Sequence, residues 1–164
     1  MSRRSKGSGT FREPKQKRTR EQLARILQVA DTLFSEHGYA GTRLEDIAAQ
    51  VPCSMSAIYD RFSGKEQLLH YMHRQGTEEA ISMIDQIQPV AVPDSDLREV
   101  LAGALKLGLD MIRQFGGRRR AVLERMHADP LLFELETELR EALVASGRRF
   151  LLAYRHQIEH PDPE

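Results

Sequence analysis

The chain has 164 residues, of which 40% are hydrophobic and 29% are charged, and its formal net charge at pH 7 is zero. This length and apolar fraction suffice for one packed domain, or for a small domain joined to a modest second one. The sequence supports neither a membrane span nor a secretory signal, and its single cysteine excludes an intramolecular disulfide and fits a reducing cytoplasm.

Positive charge is concentrated at the N-terminus. Residues 1–20 contain eight Lys or Arg against one Glu, so this segment carries about +7 and the remainder about −7. A basic arm on an acidic body is expected of a segment that meets a polyanion, because neutralising phosphates releases condensed counterions. A solvated tail explains the same composition, and charge alone leaves both interpretations open.

The first predicted helix runs from about Thr19 to His37. Thr19–Gln22 fits a capping box, in which the Thr hydroxyl and the Gln side chain satisfy each other's exposed backbone donors. Apolar residues then recur at three- and four-residue steps until Gly38, a pattern typical of an amphipathic helix ended by glycine. These residues are Leu23, Ile26, Leu27, Ala30, Leu33 and Phe34.

Two short helices are predicted next. A second capping box, Thr42–Glu45, begins a helix that ends before Pro52, because proline disfavours helical geometry in the residue before it. Ser54 caps the following helix, which extends to about Phe62. A turn of three or four residues separates the two, and this is the helix-turn-helix layout.

A third box, Ser63–Glu66, begins a long helix that runs to about Gln88. In a helix-turn-helix, the helix after the turn enters the DNA major groove with its N-terminal residues, while the helix before it crosses the phosphate backbone. The sequence therefore predicts a DNA-binding head within its first ninety residues.

Several side chains near the turn suit contact with DNA. The small residues Ser54, Ser56 and Ala57 allow the backbone to approach base edges, and the Tyr59 hydroxyl is placed to reach a phosphate. Lys65 lies in the first turn of the long helix, where its charge opposes the helix dipole. A cation at that position makes most sense if an anion is bound beside it.

These residues resemble the DNA-binding domain of the tetracycline-repressor (TetR) family, without gaps over about fifty residues. The resemblance implies an all-helical homodimer: a three-helix DNA-binding head, a connecting fourth helix, and a C-terminal helical domain that binds a small effector and supplies the dimer interface. It also implies transcriptional repression that the effector relieves. The residues that carry it are Ile26, Leu27, Ala30, Leu33, Phe34, Gly38, Tyr39, Thr42, Ile47, Ala48, Ser54, Ile58, Tyr59, Phe62, Lys65, Glu66, Leu68 and Leu69.

The resemblance also implies a domain division and a set of DNA contacts. Residues 1–18 would be a basic flexible arm, 19–64 the helix-turn-helix domain, and 65–164 the connecting helix and the C-terminal regulatory domain. The DNA contacts would come from Thr42, Arg43, Ser54, Met55, Ser56, Ala57, Tyr59 and Lys65.

Two features depart from the family pattern. The family usually has glycine where this chain has Pro52, and proline cannot adopt the positive φ that a turn glycine generally serves. The turn must therefore take another conformation. Met55 and Asp60 are the second departure, since a carboxylate beside DNA adds repulsion unless Arg61 or a cytosine amino group answers it.

The C-terminal half predicts three more helices. Asp94 or Ser95 caps a helix that Gly116 and Gly117 close, a short helix follows from Arg118 to near Ala128, and Asp129-Pro130 begins a last helix that runs to about His160. In the family, the dimer interface usually comes from two further helices. We therefore expect a truncated chain or an unusual dimer, with apolar surface exposed.

Candidate chemical sites are few in this half. An apolar effector pocket would draw on Met83, Met111, Phe115, Met126 and Phe133, although these residues also suit a plain core. No cofactor is predicted. The arginines at 118–120 are expected to pair with the glutamates at 134, 136 and 138.

Cysteine and histidine give no predicted metal site. Cys53 is expected to pack as a small apolar residue rather than act as a redox switch. His156 with His160, and His70 with His73, are spaced for zinc on a helix face, but without a partner at fixed spacing we interpret them as surface histidines.

Three functions remain open. The sequence lacks a phosphate-binding loop, a nucleophile elbow and a His-Glu-x-x-His motif, so we expect no enzyme. The leading hypothesis is a cytoplasmic, dimeric, ligand-responsive repressor that binds a palindromic operator in double-stranded DNA. The alternatives are a helical protein-interaction module whose recognition turn is impaired by Pro52, and nonspecific binding of nucleic acid through the basic arm.

Overall fold

A computed structural model of the chain describes residues 17–86, 96–115 and 117–158, with no side-chain placement at positions 111, 112, 114 and 115. These residues contain no strand, which confirms the predicted all-α class. The helices are α1 (Lys17–Gly41), α2 (Leu44–Ala49), α3 (Met55–Tyr59), α4 (Lys65–Gln86), α5 (Leu97–Phe115), α6 (Arg119–Arg125) and α7 (Pro130–Ala153), and a 3₁₀ turn follows (Arg155–Gln157).

The first four helices share one hydrophobic core. The apolar face predicted for α1 is buried in it, together with inward-facing residues of the two short helices and of α4, and α6 adds two small residues. Burying such side chains contributes roughly 1.5–3 kcal/mol each, so the core fixes the relative positions of α2 and α3. Its fully buried members include Ile26, Ala30, Phe34, Ile47, Ile58, Phe62, Leu68, Ala121, Val122 and Leu132.

The C-terminal end of α1 differs from the prediction. Gly38 does interrupt the helix, with φ 70° and ψ −175°, but helical geometry resumes and continues to Gly41. At the interruption, the backbone amides of Tyr39 and Ala40 both donate to the Glu124 carboxylate of α6, at 2.8 and 3.3 Å. A side chain distant in sequence therefore stabilises the break.

Three predicted capping boxes are wrong. Since α1 begins at Lys17, Thr19 lies inside its first turn. The Thr42 hydroxyl donates to the carbonyls of Leu33 and Gly38, so α2 has Arg43 at its N-cap and no side-chain cap. At the start of α4, the backbone amide of Ser63 donates to Gln67 rather than to Glu66.

The turn between α2 and α3 accommodates proline. The Cys53 amide donates to the Val51 carbonyl at 2.8 Å, which closes a three-residue turn with Pro52 at its centre. The central φ of an inverse γ-turn is about −75°, close to the φ that proline fixes. The predicted Ser54 cap is confirmed, because its hydroxyl accepts from the Ala57 amide, although α3 ends at Tyr59 rather than near Phe62.

The C-terminal helices cover the head from two sides: α6 packs on α1, and α7 packs on α4. The predicted Asp129 cap of α7 is confirmed, since its carboxylate accepts from the amides of Leu131 and Leu132. The predicted end near His160 is wrong, because α7 ends at Ala153 and the 3₁₀ turn follows. The predicted caps of α5, Asp94 and Ser95, and the end of α4 at Gln88 lie outside the described residues.

Much apolar surface stays uncovered in this half of the molecule. The side chains of α5 that the structure describes are exposed or half-buried, and the outer face of α7 is similarly open. None of the helices, over the residues described, has the length and apolarity that crossing a membrane requires. The large exposed residues are Leu101, Leu105, Leu107 and Leu109 on α5 and Phe133, Leu143, Val144, Leu151 and Leu152 on α7.

The break at Gly38 gives a stability prediction. Gly38→Ala would place a Cβ against the Glu124 carboxylate in a left-handed conformation, so we expect the free energy of unfolding to fall by about 1–3 kcal/mol. Urea denaturation measures this change. In the control, Gly147→Ala in α7, a Cβ meets nothing within 4 Å and should raise stability by about 0.5–1 kcal/mol. Equal effects at both glycines would contradict the role of the break.

Candidate nucleic-acid interface and internal cavity

The N-terminal end of α3 presents short polar groups at the surface. Ser54 and Ser56 are exposed, and their hydroxyl oxygens lie 2.8 Å apart. Tyr59, one turn further, is 48% exposed. Met55 is half-buried against the core, and Ala57 is half-buried with its amide directed to the Ser54 hydroxyl. Two serines and one tyrosine of the predicted set therefore share the open surface of this helix.

The two predicted residues before α2 have different environments. Arg43 is exposed, with its Nε 3.9 Å from Glu45, and is free to reach a phosphate. Thr42 is buried, and its hydroxyl is bonded inside the head to α1. The Thr42 side chain therefore holds the start of α2 against α1, a role that sequence reasoning missed because the acceptor carbonyls lie in another helix.

Lys65 also has partners that the sequence did not indicate. Its ammonium donates to the carbonyls of Tyr39, at 2.7 Å, and Thr42, at 2.9 Å, and lies 4.4 Å from the centre of the Tyr39 ring. The carbonyls at the C-terminal end of α1 thus stabilise the Lys65 ammonium, for which the sequence had suggested a bound anion. Lys65 ties α4 to α1, and any phosphate contact would be additional to this one.

A cavity of about 520 Å³ lies among α4, α6 and α7, with Gly108 of α5 at its edge. Of the predicted effector residues, Met126 and Phe133 line it, Met83 does not, and Met111 and Phe115 have no described side chains. The remaining lining residues are His73, Gly76, Thr77, Ala80, Arg118, Arg119, Glu136, Thr137, Leu139, Arg140 and Leu143.

Three polar atoms of this lining are buried without a hydrogen-bond partner among the described residues. They are the hydroxyl of Thr77, Nε of Arg118 and Nε2 of His73, and of these the His73 nitrogen lies 3.3 Å from a carboxylate oxygen of Glu136. His73 and Thr77 lie one turn apart on α4 and are 8% and 2% exposed. A buried polar group without a partner costs about 1–3 kcal/mol, so their position along a cavity needs an explanation. In the sequence, only the i, i+4 spacing of His73 and Thr77 could have indicated that they share a helix face.

Glu136 is the one carboxylate of the lining. Its Oε1 lies 3.3 Å from His73 Nε2 and 3.2 Å from Arg119. The contacts of His73 and Arg119 lower the pKa of Glu136 although burial opposes them. The prediction that His70 and His73 are surface histidines is therefore wrong, because each faces a carboxylate of the C-terminal half.

The three arginines that begin α6 connect the two halves of the chain. Arg118 pairs with Asp31 of α1 at 3.2 Å, and Arg120 donates to the Glu36 carbonyl at 2.8 Å. Only Arg119 pairs with one of the predicted glutamates, Glu136. Sequence spacing favoured partners on the following helix, whereas the fold places α6 against α1.

One side-chain group has the composition of a metal site. Ligand atoms of Glu66, His70 and Asp129 lie within 4.8 Å of one another. Asp129 is already engaged, since one oxygen accepts from two amides of α7 and the other lies 2.6 Å from His70 Nε2. These contacts account for the group as a helix cap joined to α4 by a hydrogen bond with His70.

Comparison with known proteins agrees with this architecture. Residues 26–72 match the family model of the bacterial regulatory proteins of the tetR family. No curated protein matches the chain by sequence.

Three solved structures share the fold. A proposed TetR-family transcriptional regulator from Mesorhizobium loti MAFF303099 has a TM-score of 0.67 and 20% identity, and the match covers 90% of this chain and 76% of that one. A proposed fatty acid metabolism regulator from Clostridium perfringens has a TM-score of 0.60 and 19% identity, with 85% and 75% covered. A proposed TetR-family transcriptional regulator from Syntrophomonas wolfei has a TM-score of 0.57 and 20% identity, and the match covers 88% of this chain and 74% of that one.

Residues 26–72, which contain the helix-turn-helix, are therefore similar to the tetR family of bacterial regulatory proteins, and the chain shares its all-helical fold with solved structures described as transcriptional regulators. The proteins it is similar to are regulators rather than enzymes.

The bonds of Lys65 give a second stability prediction. Lys65→Met should lower the free energy of unfolding by about 1–2 kcal/mol, because the carbonyls of Tyr39 and Thr42 lose a charged donor. Thermal or urea denaturation measures the loss. Lys106→Met, at an exposed site on α5, is the control and should change stability by about 0.5 kcal/mol or less. A Lys65 variant as stable as this control would mean that its contacts are energetically neutral.

Asp129 gives a pH prediction. Burial alone would raise its pKa, but hydrogen bonds from His70 and from the amides of Leu132 and Leu131 lower it below the usual value. A lowered folded-state pKa contributes stability that is complete above about pH 4 and is lost as the pH falls further. Asp129→Asn should therefore flatten the acid limb of a stability curve against pH, while Glu134→Gln, at an exposed site of α7, should leave it unchanged. An acid limb as steep in Asp129→Asn as in the wild type would contradict this assignment.

Proposed function

We propose that this protein is a ligand-responsive transcriptional repressor that binds a palindromic operator as a homodimer in the cytoplasm. The observation that carries the proposal is the open N-terminal face of α3, within the residues that match the family model. Its serines are small and polar, so the helix backbone approaches base edges without steric obstruction. Each dimer would present two such helices to successive major grooves.

We assign the DNA contacts to two groups. The exposed Ser54 and Ser56 would face the bases, the half-buried Met55 and Ala57 beside them would approach the bases at the edge of the contact, and the exposed Arg43 and Tyr59 would bind phosphates on either side of the turn. The basic arm, residues 1–18, adds sequence-independent attraction.

Thr42 and Lys65 belong to the same proposed interface but act mainly through position. Thr42 orients the start of α2 by bonding to α1, and Lys65 locks the start of α4 against the same helix. Lys65 has a third ammonium hydrogen for a phosphate.

Two further features support dimerisation and response to a ligand. The exposed leucines of α5 and α7 form the kind of apolar surface that association would bury. The cavity is bordered by α4, which begins at the head, and by α6, which contacts α1. A ligand that shifts either helix would change the position of the head, and by linkage DNA would change the affinity for the ligand. The domain boundary that we propose, near residue 64, lies at the start of α4.

Selection of the purified protein against random duplex DNA at physiological salt tests the proposal. We expect enrichment of a palindrome. Arg43→Ala combined with Tyr59→Phe should then weaken binding to all sequences, and the loss of Arg43 should lower the dependence of affinity on salt, since a cation that neutralises one phosphate releases about one counterion. Arg98→Ala, at an exposed site of α5, is the matched control and should change neither quantity.

An interaction module without specific DNA binding is the contrasting outcome. It predicts that the wild type enriches no sequence and that Pro52→Gly gains specific binding. Binding abolished by deletion of residues 1–18, with no preferred sequence beforehand, would instead indicate nonspecific attraction through the arm.

A further inference from the structure

The unsatisfied polar atoms of the cavity restrict what it binds. Thr77 belongs to α4, is 2% exposed, and its hydroxyl has no hydrogen-bond partner among the described residues, while Nε2 of His73, one turn earlier and 8% exposed, faces Glu136 at 3.3 Å. A ligand group that accepts and donates hydrogen bonds would remove the cost of burying them. Since these residues lie on the helix that leads to the head, the polar end of the ligand would act directly on that helix.

Charge around the cavity favours an acceptor. Arg118, Arg119 and Arg140 line it against the single carboxylate of Glu136, which Arg119 pairs. Arg118 keeps a buried Nε–H without an acceptor although its terminal nitrogen pairs with Asp31. Arg140 forms no ion pair within the described part of the chain. The lining therefore has excess positive charge and a spare donor.

The rest of the lining is apolar. Met126, Phe133, Leu139 and Leu143 supply large hydrophobic surfaces, and Gly76 and Ala80 leave room along α4. A cavity of about 520 Å³ lies within the range of small-molecule sites. A body made mainly of carbon would bury these surfaces without leaving polar groups unpaired.

We infer that the ligand of this cavity is an apolar carboxylic acid, bound as the carboxylate, with its head at Thr77, Arg118 and Arg140 and its carbon body against the apolar side chains of the lining. This inference rests on the proposed function, because it names the class of ligand to which the repressor responds. The Glu136 carboxylate would repel a second negative charge on the ligand, so a ligand with a single carboxylate on an apolar body is the best match.

Three probes of equal chain length test the head group: decanoate, decan-1-ol and decylamine. Their affinities for the full chain are measured by isothermal titration calorimetry without DNA. We expect decanoate to bind most tightly, the alcohol about tenfold more weakly because it lacks the charge, and the amine least. Equal affinity for decanoate and the alcohol, tighter binding of the amine, or no binding of any probe would overturn the inference.

Two substitutions locate the head. Thr77→Val keeps the shape but removes the unsatisfied hydroxyl, so affinity for decanoate should fall about tenfold while the melting temperature of the free protein stays equal or rises. Thr137→Val is the control in the same cavity, because its hydroxyl is already bonded to the Phe133 carbonyl, and affinity should not change. A Thr77 variant that binds decanoate as the wild type does would exclude this placement.

The charge is tested in the same way. Arg140→Gln should weaken decanoate about threefold to fivefold and leave decan-1-ol unchanged, whereas Arg148→Gln, on α7 outside the cavity lining, should affect neither. Equal losses for acid and alcohol would overturn the charged contact.

Release of the selected operator by decanoate is measured separately. Tight binding of decanoate without release would leave the ligand class standing and remove ligand response from the proposed function. If another compound released the operator and decanoate did not bind, the ligand response would stand and the inferred ligand class would be wrong.

Discussion

The break in α1 at Gly38 is the constraint on which the arrangement of the molecule depends. At this break, a backbone donor and a backbone acceptor of Tyr39 are each bonded to a charged side chain from a different helix. Glu124 of α6 accepts from the Tyr39 amide, and Lys65 of α4 donates to the Tyr39 carbonyl. The Tyr39 ring lies beneath both Lys65 and Arg125. One short segment thus joins the head, the connecting helix and the C-terminal half.

In the function that we propose, this junction would connect the head to the cavity. Glu124, which contacts the break, belongs to α6. The start of this helix also supplies Arg118 and Arg119 to the cavity lining, and Arg118 pairs with Asp31 of α1. A ligand that changes the position of α6 would act on these ion pairs and on the Glu124 contact together. Because binding free energies are reciprocal, the same contacts would transmit the effect of DNA back to the cavity.

Polar contacts between helices also limit what a single substitution can show about DNA binding. A Lys65 substitution would reduce DNA affinity for two reasons at once. It would remove a possible phosphate contact, and it would loosen the junction of α1 and α4, since the ammonium already donates to two carbonyls. Arg43 and Tyr59 are better probes because they are exposed and contribute little to the core. Stability and salt dependence measured together separate the two effects.

Local patterns predicted the apolar faces of the helices, the Ser54 and Asp129 caps and the resemblance to the TetR family, since periodicity and capping act between residues close in sequence. Only the tertiary structure decided the partners of Thr42, Lys65 and Glu124, the burial of His73 and Thr77, and the cavity. Those contacts join residues up to 85 positions apart, and spacing along the chain does not encode which helices meet. The sequence thus predicted the helices and the resemblance to a family of DNA-binding regulators, and packing decided which residues surround the cavity.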